Sequence, residues 1–382
     1  MILGIDASNL HSGGSITHLS EILRAAEPSR SGIAKVVVWS GRRTLDRIDD
    51  RPWLVKRHQR QLDGNLIQRA LWQRFRLSEL ARSEACDSLF VPGGSYAGDF
   101  HPIVTMSRNM LPFEWREARR YGLSWMTLKL FLLRWTQSRS YHRADGIIFL
   151  TRYAREGVMR VIGHTAGALT TVPHGIDGRF FREPRPARGI ETYSAELPFR
   201  LIYVSTIDMY KHQVSVATAV AALRKRGIPV VLDLVGGAYG RALRRLRRAQ
   251  ATLDPVGQFI RYHGALPHAE LHATYAQADV CVFASSCENM PNVLLEGMAA
   301  GVPVACSDRG PMPEVLGDAG LFFDPESPDA IAATLQRLLQ STQLRDRLAG
   351  ESFARAQVFT WRRCADDTFS FIADVSRARL AK

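Results

Sequence analysis

Short runs of aliphatic and β-branched residues alternate along the chain with longer stretches whose apolar positions recur at helical spacing. In the first half the short runs fall at Ile2 to Ser8, Lys35 to Gly41, Ser88 to Gly93, Ile103 to Arg108, Gly146 to Thr151 and Leu169 to His174. In the second half they fall at Phe199 to Thr206, Val230 to Gly236, Phe259 to His263, Val280 to Ser285 and Val302 to Cys306. Strands that are apolar throughout and separated by helices belong to a parallel sheet covered on both faces. The pattern predicts an α/β protein with two such sheets. Between Phe181 and Pro198 the chain holds three prolines and several charges without apolar periodicity, which reads as a linker. A length of 382 residues is consistent with two domains, set here at 1–185 and 198–358, and two further helices are expected after Leu344.

The richest segment runs from Glu288 through Asn289, Met290, Pro291, Asn292 and Val293 to Glu296. It follows the strand-like run Val280 to Ala284 and enters a stretch of helical spacing from Pro291 to Ala300. Pro291 suits the first helical position, where its missing N–H is no loss, so Glu288 belongs to the loop and Glu296 to the helix. In an open α/β sheet the carboxyl ends of the strands are where ligands bind, and free N–H groups at a helix start there attract phosphate. Two other segments have the same strand-to-helix placement. Ser12-Gly13-Gly14-Ser15 follows the first run, and Lys211 follows the run Phe199 to Thr206.

On these residues the chain resembles the retaining glycosyltransferases of family 4, which have the GT-B fold and carry a Glu-x7-Glu signature, here Glu288 and Glu296. The likeness continues through Val172-Pro173-His174-Gly175-Ile176-Asp177, Tyr203-Val204-Ser205-Thr206 with Lys211, Gly264-Ala265-Leu266, Ala278-Asp279-Val280 and Gly301-Val302-Pro303-Val304. It is close over the second half and loose over the first. The resemblance implies two Rossmann-like parallel-sheet domains facing a central cleft. The first would take the acceptor and the second the nucleotide-sugar donor, with a last helix at about 360–382 packing back on the first domain.

It also implies roles. Lys211 and Glu288 would be the catalytic pair. Gly13, Gly14, Lys211, Glu288, Met290, Pro291, Asn292, Val293 and Glu296 would bind the donor. Glu296 would accept from the ribose hydroxyls and Glu288 from those of the transferred sugar. Relatives often carry a His-Asp pair near the acceptor. Here Ser107-Arg108-Asn109-Met110-Leu111-Pro112-Phe113 stands in that place, so Arg108 and Asn109 become candidates for an acceptor or phosphate contact, because arginine cannot serve as a base. The expected activity is a hexosyl transfer from a nucleotide diphosphate sugar to an acceptor hydroxyl, with retention. It requires no metal and no cofactor, and serves bacterial surface polysaccharide or lipopolysaccharide assembly. A sugar-nucleotide epimerase of the same fold is the nearer alternative.

Charge broadens the choice of partners. Lys and Arg exceed Asp and Glu by 50 to 37, a net charge of +13, which favours an anionic partner. A non-catalytic nucleic-acid-binding protein is the distant alternative, and no aromatic-basic recognition motif supports it. The expected partners are therefore a nucleotide diphosphate sugar and a glycan or lipid-linked acceptor, and no nucleic acid. The segment Trp115 to Trp135 is read as a buried core helix, with peripheral contact to an anionic membrane as its alternative. Arg241, Arg244, Arg245 and Arg248 read as a solvated helix face. Five cysteines without a C-x-x-C pair suggest a reduced compartment, and Cys287 beside Glu288 is expected only to pack. With a strand at the amino terminus and no spanning run, the expected location is cytoplasmic, with peripheral attachment at the inner face of the plasma membrane as the variant.

Overall fold

The structure is a computed structural model that describes residues 1–10 and 14–380. The chain divides into two compact units. One comprises Met1–Ala118, Leu123–Gly175 and Phe359–Lys382, the other Arg119–Gly122 and Ile176–Val358.

Among the described residues of the first unit, seven parallel strands form one sheet in the order β3-β2-β1-β4-β5-β6-β7. They are β1 (Ile2–Asp6), β2 (Lys35–Ser40), β3 (Leu54–His58), β4 (Ser88–Val91), β5 (Ile103–Met106), β6 (Gly146–Phe149) and β7 (Ala168–Thr171). Central strands are buried along their length, which is why they read as unbroken apolar runs. β3 escaped the sequence reading. It is an edge strand, part-buried at Leu54 to Lys56 and exposed at Arg57 and His58, and these three polar residues, Lys56, Arg57 and His58, hide the strand pattern. The predicted runs also overshoot the strands, since residues leaving the carboxyl ends, such as Ala7 and Ser8, are buried as well. The C-terminal helix Trp361–Leu380 packs against the first helix, Gly14–Ala25. Gly175 makes this docking possible, because a Cβ there would lie 2.2 Å from the Trp361 nitrogen.

The second unit holds six parallel strands in the order β10-β9-β8-β11-β12-β13 among the described residues. They are β8 (Phe199–Val204), β9 (Val230–Val235), β10 (Ile260–Tyr262), β11 (Val280–Phe283), β12 (Val304–Ser307) and β13 (Leu321–Phe323). From β8 the chain adds strands on one side, then returns to place β11 on the other. β8 and β11 therefore flank the topological switch point, the place where connecting loops part and leave a crevice.

One expectation is overturned. The helix Trp125–Arg143 is not enclosed, since Leu130 and Tyr141 point inward while Trp125, Leu128, Phe131, Leu132 and Trp135 are exposed. Its apolar residues surround the helix, and only some of them are buried. By contrast, the arginines of the helix Gly240–Leu253 lie in solvent, with Ala242 and Leu246 turned inward.

Candidate active site

The loops after β8 and β11 carry the chemistry of the second unit. After β8 the chain makes a short 3-10 turn, Met209–Lys211, opened by Asp208. One Asp208 carboxylate oxygen accepts from the Met209 N–H at 2.7 Å and from the Tyr121 hydroxyl at 2.7 Å. The turn ends at His212, whose backbone takes the left-handed conformation at φ 50°. The two loops are then tied together. The Ser286 N–H donates to the Tyr210 carbonyl at 2.9 Å, and the His212 Nε2 lies 2.9 Å from the Ser286 hydroxyl. Tyr203, on β8, donates its hydroxyl to the Lys211 carbonyl at 2.6 Å.

This lacing fixes where Lys211 points. Its stem is buried against aromatic rings, with Nζ 5.2 Å from the centroids of both Tyr210 and Phe283. Nζ donates to Glu288 Oε1, forming an ion pair whose side chains are only 8% and 15% exposed. Burial, followed by the Glu288 charge, pushes the hydroxyls of Tyr203 and Tyr210 far above the ordinary tyrosine range. Both stay neutral donors. The site thus combines one enclosed cation, one carboxylate and a surround of phenols.

Glu288 lies in the loop and Glu296 in the helix Asn292–Ala299. Pro291 stands one place earlier than expected, as the residue flanking the helix at ψ 102°, so Asn292 opens the helix. The first N–H groups of a helix have no intrahelical acceptor, and those of Asn292 and Val293 are available at this end. Met290 is buried, and the Asn292 Oδ1, also buried, accepts no hydrogen bond among the described residues. An unsatisfied buried acceptor is uncommon and marks a place where a donor is wanted. Glu296 is buried one turn on, where one oxygen accepts from the Tyr275 hydroxyl at 3.2 Å and the other lies 3.5 Å from His268 Nε2. Gly297 allows this helix to sit close to β11, since a Cβ there would lie 2.6 Å from the Cys281 sulfur. Cys287 is buried, and burial raises the Cys281 thiol to about 12.

In the first unit, Arg108 follows β5 and donates to the carbonyls of Gly14 at 2.8 Å and Ser15 at 3.2 Å. Burial lowers its pKa to about 10, so it is cationic at neutral pH. Asn109 is exposed and uses its Oδ1 to accept from the Leu111 N–H at 3.0 Å, which shapes its own loop. Gly14 opens the first helix, and Gly13 lies outside the described residues. Behind Arg108, His18 and His174 are buried edge to face at 4.5 Å. Burial, and then the Arg108 charge, holds both imidazoles well below their ordinary pKa.

Within the second unit, then, Lys211 and Glu288 are in contact and Met290 to Glu296 form one loop-to-helix segment, while Arg108 and Gly14 come together in the first. Sequence reasoning gave no site role to Tyr203, although it lies in a motif segment, nor to Tyr210, Tyr275 and His268. An aromatic residue in each segment beside the motif was the available signal for the tyrosines. For His268 there was none. Among the described residues, no group of three or more His, Cys, Asp or Glu side chains is placed to share a metal ion.

Two Rossmann-like parallel-sheet units with loops of this kind at the switch point constitute the GT-B fold of glycosyltransferases. Residues 198–341 match the family model of glycosyl transferases group 1, so the second unit carries a glycosyltransferase domain. The chain is 39% identical over 112 residues to an O-antigen chain mannosyltransferase B of Escherichia coli, covering 29% of each. It is 31% identical over 256 residues to a GDP-mannose-dependent alpha-(1-6)-phosphatidylinositol monomannoside mannosyltransferase of Mycobacterium tuberculosis, covering 62% of this chain and 63% of that protein. The matches thus span from about 29% to 63% of these relatives' length. Among solved structures, a sucrose-phosphate synthase from Thermosynechococcus elongatus aligns over 100% of this chain and 99% of its own, with TM-score 0.77 and 18% identity. Anabaena HepE in complex with UDP-glucose aligns over 100% and 99%, with TM-score 0.66 and 16% identity. Identities this low speak for the fold alone.

Proposed function

We propose that the protein is a retaining hexosyltransferase that moves a sugar from a nucleotide diphosphate donor to an acceptor hydroxyl in bacterial surface polysaccharide or lipopolysaccharide assembly. The observation that carries the reading is the enclosed Lys211–Glu288 pair beside the start of the Asn292–Ala299 helix, at the switch point of the sheet. Such a place suits a diphosphate-linked sugar, with a cation and helix N–H groups for the phosphates and carboxylates for hydroxyls. The names of the E. coli and M. tuberculosis relatives favour mannose as the sugar and GDP as the leaving group.

In this reading the glycosidic C–O bond breaks with its electron pair passing to the β-phosphate oxygen. The sugar becomes oxocarbenium-like. Lys211 and the N–H groups of Asn292 and Val293 meet the charge growing on the phosphate, and their placement before reaction lowers the barrier. Glu288 accepts from hydroxyls of the transferred sugar and Glu296 from the two ribose hydroxyls. The acceptor oxygen attacks from the leaving-group side and passes its proton to the departing phosphate, which accounts for retention. Arg108 and Gly14, with Gly13 and Asn109, remain the candidates on the first unit for phosphate or acceptor.

Incubation of the full chain with GDP-mannose, and separately with UDP-glucose, together with oligomannose and lipid-linked glycan acceptors, tests the proposal. The expected result is GDP release that depends on acceptor, and an α-linked product by NMR. A β-linked product would remove retention. Conversion of the donor to another sugar nucleotide without any acceptor would replace the transferase by an epimerase.

A further inference from the structure

The helix Trp125–Arg143 carries a feature that sugar transfer does not use. Trp125, Leu128, Phe131, Leu132 and Trp135 recur at three- and four-residue steps and occupy one outward face. They are 75%, 48%, 59%, 49% and 60% exposed. Scattered single apolar residues on a surface are ordinary, whereas a contiguous row of this kind marks an interaction site. The helix is 19 residues, about 28 Å, long. Between positions 125 and 143 it contains Lys129, Arg134, Arg139 and Arg143 and no carboxylate. Leu123, just before the helix, is fully exposed. Among the described residues no helix is long and apolar enough to cross a membrane.

We propose that this face docks the protein on an anionic phospholipid bilayer, with the helix lying in the plane of the headgroups. Tryptophan suits that depth because its ring is apolar and its N–H can stay in the polar layer. The charge pattern selects lipid over a second copy of the chain. An isologous dimer through this face would bring the Lys129 and Arg139 side chains of the two copies together, with no carboxylate on the helix to answer them. Anionic headgroups supply the missing charge. A second exposed apolar strip in the same unit, Leu66, Ile67, Leu71 and Phe75 on the helix Leu66–Phe75, is tied to the loop after β4 that also holds the long helix. Gln73 from that helix donates to the Ser95 carbonyl at 3.0 Å, and Ser140 from the long helix accepts from the Tyr96 N–H at 2.8 Å. The inference stands whether or not the protein transfers sugar.

Co-sedimentation of the full chain with vesicles of phosphatidylcholine alone, and of phosphatidylcholine with phosphatidylglycerol, tests it. Binding should be strong only on the anionic vesicles and should weaken with salt. The pair W125S and W135S should lower the partition coefficient about tenfold or more with an unchanged melting temperature, since both side chains are exposed. K129Q and R139Q should each cost about fivefold on anionic vesicles. Failure of the wild-type chain to bind anionic vesicles would overturn the proposal, as would unaltered binding by the tryptophan pair. Light scattering that shows a dimer dispersed by W125S and W135S would instead give the face to a second copy.

Discussion

Exchanging Lys211 for methionine removes one charge and keeps most of the stem that packs on Tyr210 and Phe283. A full charge about 5 Å from the departing phosphate, at an effective dielectric of about 20, is worth roughly 3 kcal/mol. Loss of one preorganised donor has the same size elsewhere. The expected fall in kcat/KM is therefore about 150-fold. The stability cost is separable. Breaking a fully buried ion pair costs about 3–5 kcal/mol, and the 15% exposure of Glu288 lets water take up part of that, so the cost here should fall below this range. Most of it comes from a carboxylate left without its cation. Adding Glu288→Gln to Lys211→Met should therefore recover the melting temperature without recovering activity. Single-turnover release of GDP from GDP-mannose, run beside thermal melts of the wild type and the two variants, reads both quantities. Near-normal turnover by folded Lys211→Met would remove the lysine from the chemistry. Recovery of turnover in the double variant would show that the pair serves stability alone.

The remaining predictions concern neighbouring groups. Glu296→Gln should weaken donor binding about tenfold and leave kcat near its original value, because a ribose contact far from the breaking bond serves ground and transition states alike; titration calorimetry with GDP against steady-state kcat separates the two. Gly297→Ala places a Cβ against the Cys281 sulfur and should destabilise by about 1–3 kcal/mol. That lowers melting by about 2–4 °C for each kcal/mol in a unit of this size, and Cys281→Ala should restore part of the loss. His18 and His174, held neutral in the fold, bind fewer protons than the unfolded chain below its histidine pKa. Their contribution to stability is thus complete above about pH 6.5 and declines as pH falls, by up to about 1.4 kcal/mol per pH unit for each. Denaturant melts between pH 8 and 5 should show this slope, and a His18→Asn, His174→Asn variant should flatten it; an equal slope in both would refute the assignment.

Much of the candidate site was readable before any coordinates, because it is built from local signals. Proline at a helix start, glutamate in a loop and glutamate one turn into a helix are decided by the few residues around them. The alternation of apolar runs with helical spacing likewise determined that strands would be parallel and buried. Two strands were unreadable for an equally plain reason. β3 is charged and β13 only three residues long, and both lie at sheet edges where burial imposes little pattern.

Tertiary structure alone decided which partners meet. Lys211 reaches Glu288 across 77 positions because β8 and β11 are neighbours in the sheet, and Tyr275 reaches Glu296 across 21 because the helices before and after β11 pack side by side. Arg108 spends donors on the Gly14 and Ser15 carbonyls, which no spacing could show. The helix Trp125–Arg143 is the sharpest case. With apolar residues on every side it held no record of its orientation, so the sequence allowed either a core helix or a surface one. The choice fell to the neighbouring elements, which cover the Leu130 and Tyr141 side and leave the tryptophans outward. Chain pattern determines which residues are able to be buried, and only packing determines which of them are.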